Sequence, residues 1–209
     1  MADEEAPYVE PPHDFAELPA PEPRPITISA ENVGKYLSKV SNVYDASGFA
    51  FVQLNAADEG IVDLSHLKTY EHLRYVDLSG NMLTHLDDVV HLKRTRILNA
   101  KGNRVKNLNC ADGDAVLPYC GVMDLSENHL ESVGKLNFPA LKYVNLRGNV
   151  IRSMGVCGGH ANLEKIDLSG NALSSLAGLS NFPKLTTLNV SNNRTFIFFY
   201  VLRQSFQNF

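Results

Sequence analysis

A chain of 209 residues with 44% apolar side chains has the length for one domain with its own core, plus a tail. Its formal charge of −4 is uneven: seven acids before residue 26 face Arg24 alone, a net −6 that leaves the rest at +2 and excludes a nucleic-acid-binding charge field. Three cysteines, an odd number, point to free thiols in a reducing, cytoplasmic compartment, no secretory leader is legible, and the longest apolar run, seven residues from Phe196 to Leu202, is too short for a bilayer.

Residues 1–25 combine seven prolines with those acids and few large apolar side chains, so they cannot bury enough surface to offset their ordering entropy. They read as a solvated acidic tail. Residues 26–60 read as a cap followed by a first strand. Ser29 is placed as an N-cap, and Val33, Leu37 and Val40 mark one face of a helix running to about Val40. Phe49-Ala-Phe-Val-Gln-Leu54 then alternates as a strand.

From residue 61 to 195 one pattern repeats. In His72–Leu86 (HLRYVDLSGNMLTHL), Leu73, Val76, Leu78, Asn81, Leu83 and Leu86 fall at the spacing L-x-x-L-x-L-x-x-N-x-L-x-x-L. Val76 and Leu78 alternate with Tyr75 and Asp77, which gives a short strand with one apolar side, and Asn81 turns the chain. Equivalent asparagines stand at Asn103, Asn128, Asn149, Asn171 and Asn193, at intervals of 22, 25, 21, 22 and 22 residues. The inward positions are Leu73/Val76/Leu78, Thr95/Leu98/Ala100, Cys120/Met123/Leu125, Leu141/Val144/Leu146, Leu163/Ile166/Leu168 and Leu185/Leu188/Val190. Counting back 22 residues gives a degenerate unit with Phe51, Leu54 and Ala56 inward and a turn at Glu59. Pro118, Pro139 and Pro183 each lie two residues before an inward position, which keeps the register across the 25-residue unit. One such unit cannot bury its own apolar edge, so the units must stack and the ends need caps.

The predicted fold is therefore an α/β solenoid: a leucine-rich-repeat horseshoe with a parallel concave sheet and an N-terminal helical cap. Units of 21–22 residues leave room only for turns or 3₁₀ segments on the convex side. The extra residues of the long unit, around Asn109 to Ala115, should bulge there.

Candidate chemistry is sparse. Cys157 and His160 have C-x-x-H spacing, with Cys110 and Cys120 upstream, but Cys120 holds an inward position and His160 stands where Tyr70, Leu92 and Phe138 stand in other units. Core filling is the better reading, and no metal site is predicted. Asp112-Gly-Asp114 lacks the rest of a calcium loop, and no serine or cysteine is paired with a histidine at a defined offset. No catalytic residue and no cofactor is predicted, and the chain reads as a non-enzyme.

The outward positions of the strands are more informative. One column, Asn55, Asp77, Asn99, Asp124, Asn145, Asp167 and Asn189, is what the repeat usually supplies. The other runs Gln53, Tyr75, Ile97, Val122, Tyr143, Lys165 and Thr187. Four consecutive apolar or aromatic members there, Tyr75 to Tyr143, predict a protein-binding stripe bordered by Arg74, Arg96 and Lys142 and continued by Lys165.

The order TYEHLRYVDLSGNMLTHL (Thr69–Leu86), followed by NAKGNR (Asn99–Arg104), resembles the leucine-rich repeat-containing protein 23 family. The similarity extends from about residue 26 to 193. That resemblance implies a non-enzymatic scaffold in the ciliary or flagellar axoneme that joins radial-spoke proteins and supports motility; charge and the short apolar runs already speak against nucleic acid or membrane as partner. The short units are also similar to those of phosphatase-regulatory proteins, which leaves a subunit wrapping a protein phosphatase on its concave face as the alternative.

Residues 196–209 depart from the pattern. After Asn193 the expected inward positions are Thr195 and Phe198, but five of the ten phenylalanines fall in these last 14 residues. A charge-poor aromatic run at an uncapped solenoid end is an aggregation hazard. The composition predicts an end that replaces a longer native C-terminus. Sequencing of the transcripts should find the dominant message continuing past this stop codon, and a dominant message that ends here refutes the expectation.

Overall fold

An asparagine that returns every 21 to 25 residues sets the geometry of the whole array. The computed structural model describes residues 24–43, 48–108, 117–134, 136–154, 160–177 and 181–194. Each asparagine side chain lies between two units rather than within one, buried at all but the half-buried Asn193. The Oδ1 of Asn81 accepts the backbone N–H of Ile61 at 2.9 Å and that of Glu59 at 3.2 Å, both in the preceding unit. Its Nδ2 donates to Ala56 O at 2.7 Å in that unit and to Leu78 O at 2.9 Å in its own. Asn103, Asn128, Asn149, Asn171 and Asn193 repeat the arrangement, accepting from Leu83, Val105, Leu130, Ile151 and Leu173. The residue before each must take a left-handed turn. Gly80 does so without penalty at φ +66°, whereas Glu127 adopts φ +56° with a side chain attached.

Between these turns run the strands β1 (Ile26–Thr27), β2 (Leu37–Asn42), β3 (Phe49–Asn55), β4 (Ile61–Asp63), β5 (Tyr75–Asp77), β6 (Ile97–Asn99), β7 (Val122–Asp124), β8 (Tyr143–Asn145), β9 (Lys165–Asp167) and β10 (Thr187–Asn189). The main sheet has the order β10-β9-β8-β7-β6-β5-β3-β2, parallel from β3 to β10. Leu54, Val76, Leu98, Met123, Val144, Ile166 and Leu188 are paired in register, and all but the half-buried Leu188 are sealed in the core. The deeper row of Ala56, Leu78, Ala100, Leu125, Leu146 and Leu168 is fully enclosed. On the convex side, 3₁₀ turns cover Ser65–Thr69 and Asp87–His91, as the unit length predicts.

The N-terminal cap departs from expectation. No helix reaches Val40: a single 3₁₀ turn spans Val33–Lys35, and Leu37–Asn42 is β2, antiparallel to β3. Ser29 is not the N-cap; its N–H donates to Asn32 Oδ1 at 2.8 Å, and its carbonyl accepts Val33 N–H at 2.9 Å. A helix of about twelve residues is marginal alone and here would contain Gly34. Pairing with β3 instead satisfies the open edge of the parallel sheet. On the convex side β1 joins β4, Ile26 N–H donates to Gly60 O at 2.9 Å, and Ile28 is buried.

The degenerate first unit also corrects an inward position. Phe51 is 44% exposed, and Val52 is buried instead. In the fifth-strand unit a turn (Leu73 N–H to Tyr70 O, 3.2 Å) swings Leu73 inward. β3 stays extended back to Phe49, so strict alternation keeps Phe51 on the same face as Gln53. Glu59, at the asparagine position, does not reproduce the asparagine's bonds; its carboxylate takes Lys35 Nζ at 2.9 Å and Tyr36 Oη at 3.2 Å, fastening the cap.

His160 is buried with both ring nitrogens engaged. Nε2 lies 2.8 Å from Phe138 O, and Nδ1 accepts Asn162 N–H at 3.2 Å, which assigns the proton to Nε2 and leaves no lone pair for a metal. Among the described residues no group of three or more metal-binding side chains occurs, and no helix is long and apolar enough to cross a membrane. Residues 1–23, the insertion with Cys110, Cys157 and the stretch from 195 onward, with Thr195 and Phe198, lie outside the described residues.

Two outcomes follow from this packing. Asn128→Ala leaves the Val105 N–H without its acceptor, while the carbonyls of Ala100 and Leu125 lose one amide donor each and keep Asn103 and Asn149. The one orphaned buried donor should cost about 1–3 kcal/mol, read in urea denaturation. Burial raises the Cys120 thiol from 9.0 to about 11. Folded protein therefore retains this proton over a range where the unfolded chain releases it, and the contribution to stability is lost as pH rises from about 9 toward 11. With Cys110 and Cys157 replaced by serine, Cys120 should resist a thiol reagent at pH 8 until urea unfolds the chain.

Candidate functional site

The outward column predicted from the repeats is one continuous row across the sheet. Gln53, Tyr75, Ile97, Val122, Tyr143, Lys165 and Thr187 are direct cross-strand partners from β3 to β10. At about 4.8 Å per strand, Tyr75 to Tyr143 covers roughly 14 Å. Tyr75 and Ile97 are 41% and 40% exposed, whereas Val122 and Tyr143 are half-buried by their neighbours. Burial pushes the Tyr143 phenol above its ordinary pKa, helped by the negative charges of Asp124 and Asp167 on either side. Tyr143 therefore presents a neutral hydroxyl on an apolar body, the form that anchors interfaces.

Sequence reasoning missed that the apolar surface continues into the cap. Val40 pairs directly with Phe51, and Phe49 faces Asn42 one step along. By strand alternation Phe49, Phe51 and Gln53 share a face, so Val40, Phe49 and Phe51 extend the Tyr75–Ile97 surface toward the N-terminal edge. Val40, Phe49, Phe51, Tyr75 and Ile97 make up five of the seven exposed large hydrophobic residues among those described. Their concentration on one end of one face exceeds the scatter normal for a surface. The period-two pattern FAFVQL carried this signal, but the repeat register assigned Phe51 inward.

The basic border is split. Arg74, half-buried, donates to Asn42 O at 3.1 Å and Ser41 Oγ at 3.4 Å, which ties it to the β2 end. Arg96 is exposed one rung further on, whereas Lys142 is paired with Glu164 at 3.4 Å. Lys165 stands exposed at the far end of the row.

The second column is structural. Asp77, Asp124 and Asp167 each accept the N–H two residues on, at 2.8–3.0 Å, and Asn145 and Asn189 donate sideways to Asp124 and Asp167. Its acids are consumed in turns at the strand ends and leave the neighbouring row to face a partner.

Comparison with known proteins agrees with this architecture. A family model described as Leucine Rich repeats (2 copies) matches residues 161–197. Human leucine-rich repeat-containing protein 23 is 28% identical over 195 residues, which cover 82% of this chain and 55% of that protein. Its counterpart in Bos taurus is 31% identical over 181 residues, 76% of this chain and 52% of that one. The chain spans about half the length of the curated relatives it matches. Among solved structures, an internalin C2 from Listeria monocytogenes superposes with a TM-score of 0.53 at 20% identity, over 68% of this chain and 62% of that chain, a likeness of fold alone. With its register, asparagine ladder and relatives together, the chain is a leucine-rich-repeat protein and a homologue of leucine-rich repeat-containing protein 23.

Proposed function

We propose that the chain is a non-enzymatic scaffold that docks a protein segment on the N-terminal half of its concave sheet, and that it works in the ciliary or flagellar axoneme as a radial-spoke component. The observation that carries the docking reading is the unbroken cross-strand row Tyr75, Ile97, Val122, Tyr143, bordered by cations. Its span of roughly 14 Å suits two turns of a helix or a short extended segment. Arg74, Arg96 and Lys165 select for acidic residues beside an apolar centre. The axonemal setting rests on the resemblance to the leucine-rich repeat-containing protein 23 family, and the domain division into tail, cap, repeats and C-terminal end belongs to the same reading. A phosphatase-regulatory role would be favoured by free acidic groups on this face, but Asp77, Asp124 and Asp167 are engaged in their own turns.

Aromatic anchors at the centre of an interface carry a disproportionate share of its energy. Tyr75→Ala combined with Tyr143→Ala should therefore weaken partner affinity by about 2–4 kcal/mol. Both side chains point away from the core, so the melting temperature of the free protein should barely change. Pull-downs from axonemal extract, with melting measured alongside, decide the matter: a double variant that recovers the same radial-spoke proteins as wild type removes the concave row as the binding site.

A further inference from the structure

Beside the apolar row, where the chain enters β5, β6 and β7, lies an open basin of roughly 870 Å³, part of it bulk solvent, lined by His72, Arg74, Arg94, Arg96 and Tyr119. The repeat brings these residues together. His72, Arg94 and Tyr119 occupy one position in three successive units, and Arg74 and Arg96 another in two of them. The backbone ladder fixes the second column: Arg96 N–H donates to Arg74 O at 2.8 Å, Gly121 N–H to Arg96 O at 3.0 Å, and Lys142 N–H to Gly121 O at 2.9 Å. At Gly121 that column carries no side chain, and beyond it Lys142 is neutralised by Glu164.

Like charges on adjacent rungs repel, so Arg74 beside Arg96 works against the stability of the sheet. Among the described residues neither arginine has a carboxylate within ion-pair distance. Arg74 donates only to the neutral acceptors Ser41 Oγ and Asn42 O, and Glu71 reaches His72 at 3.7 Å. The Arg94 guanidinium lies 5.8 Å from the centre of the Tyr119 ring, and Tyr119 itself is 55% exposed. Planar guanidinium forks beside a phenol hydroxyl match a tetrahedral oxyanion, to which they can donate in pairs.

We propose that this basin binds a phosphorylated side chain of the protein segment docked on the adjoining row. The inference rests on the docking reading for the peptide context and adds the chemical class of its anchor. Two uncompensated arginines balance the charge of about −1.5 to −2 on a phosphate monoester, whereas one carboxylate leaves a cation over. A polynucleotide is the poorer fit, because the chain outside its first 25 residues carries only +2 and Lys142 on the same border is already paired.

The test uses the full chain, labelled with nitrogen-15 and titrated with N-acetyl-O-phosphoserine amide, N-acetylglutamate amide, N-acetylserine amide and a 12-nucleotide single strand. The Nε–Hε resonances of Arg74, Arg94 and Arg96 should follow one saturable curve with phosphoserine, at least five-fold tighter than with glutamate, and stay still with serine. Arg96→Gln should weaken phosphoserine binding at least five-fold without lowering the melting temperature, and Arg152→Gln should leave that binding as it was. Equal shifts at Arg104, Arg147 and Arg152, parity between glutamate and phosphoserine, or tighter binding of the oligonucleotide would each overturn the proposal. The titration contains no partner and reads the basin alone, while the Tyr75/Tyr143 pull-down reads the row alone, so either reading can fail without the other.

Discussion

A carboxamide shared between successive units holds this molecule together. An asparagine offers an acceptor and two donors on one rigid plane, and here the plane lies across the seam between units. Oδ1 closes a backbone N–H of the unit before, while Nδ2 closes carbonyls on both sides. A turn buried at that depth would otherwise leave several backbone groups without partners, each at a cost comparable to a lost hydrogen bond. Aspartate has no donor for the carbonyls, and leucine has neither function. The residue type is therefore dictated by an accounting of backbone groups rather than by local turn preference.

Because the ladder locks the offset between neighbouring units, every strand meets the next with the same residue opposite. A slip of one residue would exchange the two faces and bring Tyr75 into the core in place of Val76. Register of this strictness converts a one-dimensional repeat into columns on a surface. One column of alternating aspartate and asparagine finishes the strand ends, and the other is free to vary. The variable column holds the apolar row, and the position just before the strand holds the arginines. The same regularity that builds the core thus presents a spatial pattern to a partner, without any loop having to be positioned separately.

The N-terminal end shows what happens where the ladder stops. Glu59 stands at the asparagine position and binds Lys35 and Tyr36 of the cap instead of backbone groups of another repeat. On its outer edge β3 takes the antiparallel β2 as its neighbour, and the resulting hairpin carries its own alternation of faces. The core side closes over Val52, Leu54 and Tyr36. The other side leaves Val40, Phe49 and Phe51 in solvent, continuous with the row from β5 onward. A terminal strand built only to seal the core would place polar residues there, so the cap contributes to the surface that the repeats begin.

Much of this was decided by the sequence. Spacing of leucines and asparagines determined the solenoid, the parallel sheet, the short convex turns and the row Gln53 to Thr187, because a repeated period forces equivalent residues into equivalent places. His160 as a core residue followed from its position in the repeat rather than from its neighbours. Tertiary structure alone decided the features that depend on pairing at the ends and across units. The run from Val33 to Val40 satisfies a helical spacing, but the free edge of β3 offered it backbone partners that a short helix lacks. Phe51 held an inward register position, yet the extended backbone of β3 overrode the count. The repeat puts His72, Arg94 and Tyr119 at one position and Arg74 and Arg96 at another, but only the folded chain opens the basin that they line. Periodicity specifies what repeats; side chains gathered where the period breaks are placed by the fold.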